Sequence, residues 1–169
     1  ITPVPQPREP VPARARIAAV VLAAGQSRRM GSVNKMTAEI GGRSMVRIAV
    51  EAALQSQAEP VVVVTGHQAA EVSTALGGLD VTIVHNPNYA EGLSTSLQAG
   101  IAALPADVAG AVVCLADMPG VTAAVIDRLI AAHSSDGVGQ IVVPTHDGKR
   151  GNPVLWPKRL FAALASIRG

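Results

Sequence analysis

The sequence predicts an α/β protein, with a mostly parallel sheet and helices on both of its faces. Three observations carry that reading. Short, fully apolar, β-branched runs recur along the chain. Each is bounded by turn residues, and most are followed by an Ala/Leu-rich stretch long enough for a helix. The chain has 169 residues, 49% hydrophobic and 15% charged, enough for a single core of ordinary size. Disorder of the whole chain is excluded, because it requires low hydrophobicity and high net charge.

Taken in order, residues 1–16 come first. Prolines at positions 3, 5, 7, 10 and 12 remove backbone donors and fix φ, so this stretch can join neither a helix nor a central strand. It reads as a Pro-rich linker or disordered tail ahead of a domain spanning 17–169, and its sharper reading is a linker to an upstream domain. The first strand is expected over Ile17–Leu22. With Arg14 and Arg16 before it, this run imitates a secretory leader. The long Pro-rich segment ahead of it and Gln26-Ser27-Arg28-Arg29 behind it argue against that, and a cytoplasmic location is expected. The apolar run Ile17–Gly25 is also about half the roughly 20 residues of a membrane span.

Further strands are expected over Pro60–Thr65, Val81–His85, Ala111–Leu115 and Gln140–Pro144. Helices are expected over Ser44–Ser56, Ala69–Leu76, Leu93–Leu104 and Val121–His133. Strand–helix alternation of this kind builds a parallel sheet through right-handed crossovers. In such sheets ligands bind beyond the carboxyl ends of the strands, where the strand order reverses. The loops after the strands are therefore the places to look for chemistry.

Composition removes several function classes. The formal net charge is +2. Arg8, Arg14 and Arg16 against Glu9 account for all of it, so the expected domain is electrically balanced. Nucleic-acid binders show clustered basic surfaces, and single-strand binders add aromatic platforms. The aromatic residues here are Tyr89, Trp156 and Phe161 alone. No nucleic-acid or membrane partner is expected. One cysteine, Cys114, excludes a disulfide scaffold and suggests a reducing compartment.

The loop after the first strand runs Leu22-Ala23-Ala24-Gly25-Gln26-Ser27-Arg28-Arg29-Met30-Gly31-Ser32-Val33-Asn34-Lys35. Its glycines allow a tight bend, successive N–H groups in such a bend form an anion nest, and Arg28, Arg29 and Lys35 add positive charge. It is not a P-loop, which needs four residues between its glycines and a lysine after the second. It is not a dinucleotide fingerprint either, since Ser27 stands where the second glycine would be. An ordinary glycine-containing turn with solvated arginines is the plainer alternative.

LAAGQSRRMG followed by Lys35 resembles the signature of the MobA-like nucleotidyltransferases. HNPNYAEGLSTSLQAGI (85–101), LADMP (115–119) and RGNPVLW (150–156) are similar to that family's NPxxxxGMxxSL, GDMP and RGHPV segments, in the same order. The resemblance implies a Rossmann-like fold of the nucleotide-diphospho-sugar transferase type. It implies nucleotide binding by Leu22, Ala23, Ala24, Gly25, Arg29, Lys35, Gly66, Gly92 and Ser96, with Arg29 and Lys35 on phosphates and Ser96 reading the base. Arg29, Lys35 and Asp117 would carry catalysis, Asp117 would hold Mg²⁺, and Arg150, Gly151 and Asn152 would face the acceptor.

Each loop also has a reading of its own. Asp117 follows a strand, where one carboxylate suits a hard cation completed by phosphate oxygens. Its alternative is a helix cap, weakened by Pro119-Gly120. Gly92, Ser94 and Ser96 open a helix whose free N–H donors suit anions or base carbonyls, or else form a Ser-rich cap. His67 stands at the same edge, either functional or structural, and His85 and His133 read as structural. No His/Cys cluster supports zinc. Asn152 replaces the family's histidine, which puts the acceptor in question. The cytidylyl members continue into a GDxGAR-like acidic segment that is not found here, which leaves open that the domain is truncated at its C-terminal end.

The resemblance implies Mg²⁺-dependent transfer of a nucleotidyl group with release of pyrophosphate. Guanylyl-transferring relatives read LAGG where Ala24 stands here, and place Asp before the lysine in place of Asn34. The erythritol cytidylyl relatives place Pro-Lys-Gln where Asn34-Lys35-Met36 stands. The remaining match is to the molybdenum cofactor cytidylyltransferases, implying CTP and a molybdopterin-type phosphate acceptor. An NADPH-binding oxidoreductase on the same scaffold and a non-catalytic nucleotide-binding module fused to another domain are the rival readings.

Overall fold

The computed structural model describes residues 15–26, 35–135 and 139–168. The Pro-rich tail and the centre of the glycine loop, with Arg29, lie outside the described residues. The elements run β1 (Ile17–Ala23), β2 (Glu39–Ile40), β3 (Arg43–Ser44), α1 (Met45–Gln55), β4 (Val61–Thr65), α2 (Ala69–Ala75), β5 (Thr82–His85), α3 (Leu93–Ala102), β6 (Gly110–Leu115), α4 (Ala123–Ser135), β7 (Thr145–His146), β8 (Lys149–Arg150), β9 (Val154–Pro157) and α5 (Phe161–Ala165).

β1 explains the layout. All seven of its residues are buried, and successive side chains of a strand point to opposite faces. Ile17, Ala19, Val21 and Ala23 enter one core with Val46 and Val50 of α1, Val72 of α2 and Ile126 and Ile130 of α4. Ala18, Val20 and Leu22 enter the other, with Ile101 of α3 and Leu164 of α5. A strand buried on both faces must be central. The sheet order is β5-β4-β1-β6-β9, with β1 in the middle. β4, β5 and β6 join in parallel, and β9 is antiparallel to β6. The order therefore reverses between β1 and β6, and their carboxyl ends flank the crevice. The backbone N–H of Ala116 reaches across it to the Leu22 carbonyl at 3.1 Å.

One expected strand is corrected. Gln140–Pro144 forms no strand of the parallel sheet. Only Val142 pairs, in a single antiparallel bridge with Leu155. The fifth strand is β9, in the Pro-bounded segment read above only as an acceptor motif. There Leu155 is fully buried opposite Val112. The α1 boundary follows from its cap, since Ser44 Oγ accepts from the Arg47 N–H at 3.4 Å. Among the described residues, no helix is long and apolar enough to cross a membrane.

Candidate active site

A cleft of about 680 Å³ opens at the β1–β6 crevice. Leu22, Ala24, Gly25 and Gln26 come to it from the end of β1, and Leu115 and Asp117 from the end of β6. The short 3-10 turn Lys35–Thr37 contributes Lys35 and Met36. Tyr89, Ala90, Gly92, Leu93 and Ser96 form the remaining wall, leading into α3.

Seven of the expected site residues thus share one cleft: Leu22, Ala24, Gly25, Lys35, Gly92, Ser96 and Asp117. Others do not line it. Ala23 points into the core beneath α1 and α4, as strand alternation requires. Gly66 lies behind the wall, where a Cβ would come within 2.7 Å of Tyr89 Cγ and 2.9 Å of Ala24 Cβ. Its place in the fold is to let Tyr89 pack against the end of β1. Arg150, Gly151 and Asn152 are exposed, at and after β8, and are not among the residues lining the cleft. There Gly151 donates its N–H to the Pro144 carbonyl at 2.9 Å.

Among the described residues, an ion pair is the electrostatic centre of the cleft. Lys35 Nζ lies 3.1 Å from Asp117 Oδ2, with 36% and 37% of the two side chains exposed. Separated by 82 positions in sequence, they meet because β1 and β6 are neighbours. Behind them Cys114 is buried in β6, and burial pushes its thiol up to about 12. A neutral thiol is a poor nucleophile, so Cys114 belongs to the packing.

Asn86 escaped the sequence reading. It is 3% exposed. Its Nδ2 donates to Thr95 Oγ1 at 2.9 Å and to Ser96 Oγ at 3.0 Å, and its Oδ1 accepts from the Asn88 N–H at 2.9 Å. The backbone N–H of Asn86 donates to the Thr65 carbonyl at 2.7 Å. One side chain thereby fastens the end of β5 to the first turn of α3 and sets where Ser96 sits. Gly92, at φ 127°, makes the bend between them. The signal was present in the HNP triplet, but an Asn beside Pro reads as an ordinary turn.

Among the described residues, no group of three or more His, Cys, Asp or Glu side chains converges to cage a metal. A lone, accessible carboxylate is still a fitting donor set for a hard cation such as Mg²⁺, which takes one or two carboxylates and fills its remaining positions with phosphate oxygens and water.

A family model described as the MobA-like NTP transferase domain matches residues 19–169. The chain belongs to the MobA-like NTP transferase family. It is 38% identical over 128 residues to the bifunctional protein GlmU of Micrococcus luteus, matching 71% of this chain and 26% of that protein. It is 32% identical over 140 residues to the molybdenum cofactor cytidylyltransferase of Escherichia coli, covering 82% of this chain and 69% of the relative. It is 29% identical over 154 residues to the nicotine blue oxidoreductase of Paenarthrobacter nicotinovorans, covering 89% and 75%. The chain spans only about a quarter of the length of GlmU, 26%. Among solved structures, a nucleotidyl transferase from Methanothermobacter thermautotroptrophicus superposes with a TM-score of 0.80 at 28% identity, covering 91% of this chain and 77% of that one. A manganese complex of Rv0371c from Mycobacterium tuberculosis superposes with a TM-score of 0.75 at 25% identity, covering 93% and 78%.

Proposed function

We propose that this chain transfers CMP from CTP to a phosphate acceptor of the molybdopterin type, with Mg²⁺, releasing pyrophosphate. The observation that carries the proposal is the meeting of Lys35 and Asp117, 3.1 Å apart, in the cleft bounded by the Gly25 turn. An acceptor phosphate oxygen attacks the α-phosphorus, and the bond to the β-phosphate oxygen breaks. Such chemistry needs alignment and charge neutralisation more than a protein nucleophile. The backbone from Leu22 to Gly25 cradles the phosphates. Lys35 and Arg29 neutralise charge on the departing pyrophosphate. Asp117 holds the cation, which when bound polarises phosphoryl oxygens as a Lewis acid. Gly92 meets the base together with Ser96, which Asn86 holds in place. Arg150, Gly151 and Asn152 are proposed for the acceptor, reached from outside the cleft wall.

CTP is favoured over GTP by Ala24, where guanylyl relatives carry glycine, and by Asn34 before Lys35. The likeness to the Escherichia coli cytidylyltransferase supports the acceptor class. The cytoplasm is the proposed setting. The test is pyrophosphate release from CTP or GTP with molybdopterin cofactor, with and without Mg²⁺. Release from CTP should fall about 10²–10³-fold in Asp117→Asn, by analogy with the loss of one charge-stabilising group. Release with GTP alone would overturn the nucleotide assignment. The likeness to nicotine blue oxidoreductase favours a second reading, NADPH binding in the same cleft. NADPH oxidation without pyrophosphate release would select it.

A further inference from the structure

The ion pair raises a question of order. Among the described residues lining the cleft, Lys35 and Asp117 are the charged ones, and they neutralise each other across 3.1 Å. A divalent cation on Asp117 would sit within a few ångströms of the Lys35 ammonium. One negative charge would then serve three positive ones. A triphosphate changes that balance, because its charge can receive both the ammonium and the cation. The mechanics suit an exchange. Met36 is buried beside Lys35 and the Lys35 carbonyl accepts from Ala38 N–H at 3.2 Å, so the backbone is held. The four-carbon stem of this side chain, which is about one-third exposed, can still carry Nζ from Oδ2 to a neighbouring phosphate.

We propose that Lys35 is an exchangeable counter-charge that keeps Asp117 from taking a divalent cation alone and releases it when a nucleoside triphosphate arrives. This rests on the reading of Asp117 as the cation's ligand and Lys35 as a phosphate contact. It goes further by making cation and nucleotide binding mutually dependent. Linkage requires the dependence to be reciprocal: whatever factor CTP adds to cation affinity, the cation adds to CTP affinity.

The test is a titration of free Mn²⁺ followed by electron paramagnetic resonance, with and without CTP, corrected for Mn²⁺–CTP formed in solution. It uses the wild-type chain, Lys35→Met, Lys35→Gln, Lys35→Arg and Asp117→Asn, each checked for folding by circular dichroism. The two neutral variants should bind Mn²⁺ alone about tenfold more tightly than wild type, and CTP should tighten Mn²⁺ by a correspondingly smaller factor. Lys35→Arg, which keeps the charge, should follow wild type. Mn²⁺ affinities without CTP that agree within about twofold between wild type and both neutral variants would overturn the exchange, while Asp117-dependent Mn²⁺ binding with CTP would leave the proposed function standing. Mn²⁺ binding with CTP that is the same in Asp117→Asn as in wild type would overturn both.

Discussion

Cys114 and Asn86 show how single residues set the surroundings of the cleft without entering its chemistry. Burial raises the Cys114 thiol from 9.0 to about 12. The unfolded chain therefore loses this proton before the folded one. The contribution is fully present below about pH 9 and is lost as pH rises towards 12, at up to about 1.4 kcal/mol per unit. Urea unfolding of wild type and Cys114→Ala across that window should show the stability difference shifting against wild type as pH rises. A constant difference would contradict the burial account. Asn86→Ala would leave the Asn88 N–H without its acceptor and remove the donor shared by Thr95 and Ser96. A loss of about 1–3 kcal/mol is expected in denaturant unfolding. Nucleotide affinity should weaken with it, because Ser96 loses its anchor; unchanged affinity would make Asn86 a packing residue only. The burial of Cys114 was legible in its apolar run, whereas the Asn86 network was not. Hydrogen-bond partners are properties of the fold, and an Asn before Pro has the same local signature in any turn.

At the scale of elements, α3 lies close against the sheet at Gly100. A Cβ on Gly100 would run into Cγ1 of Val20 and lie 3.0 Å from Cγ2 of Val64. Gly100→Ala should therefore destabilise by about 1–3 kcal/mol through overpacking, offset by up to about 1 kcal/mol of helix propensity. Gly120→Ala, in a turn where nothing lies within 4 Å, is the comparison without overpacking. Thermal denaturation should separate the two variants, and equal melting temperatures would contradict the packing. Most elements were legible. Val61–Thr65 and Gly110–Leu115 are runs buried on nearly every residue, and such runs announce central parallel strands. β9 was not legible. It follows Pro153 and ends on Pro157, and it becomes a strand only by antiparallel pairing with the far-off β6. Gln140–Pro144 has better strand composition but forms a β-bridge only at Val142.

At the scale of the whole molecule, topology decides where the site lies. Ligand sites follow the carboxyl ends of parallel strands at a reversal of order. Here the reversal lies between β1 and β6, and it brings the glycine turn and Asp117 together. That much was readable in advance, since the strand-end rule puts both loops on one edge of the sheet. The Lys35–Asp117 contact was not readable, because no sequence rule ranks pairs of residues 82 positions apart. The placement of Arg150, Gly151 and Asn152 on an exposed segment off the cleft wall was equally hidden. Acceptor binding there requires a substrate that reaches past the wall.

On this reading, the reversal point holds a cation and a triphosphate together. The most direct measurement is an anomalous-scattering map from crystals grown with Mn²⁺ and a non-hydrolysable CTP analogue. A manganese peak at ligand distance from Asp117, with the triphosphate running along the Gly25 turn to Lys35, is the predicted result. A triphosphate bound elsewhere, or a manganese ion bound to it with Asp117 uninvolved, would contradict the account.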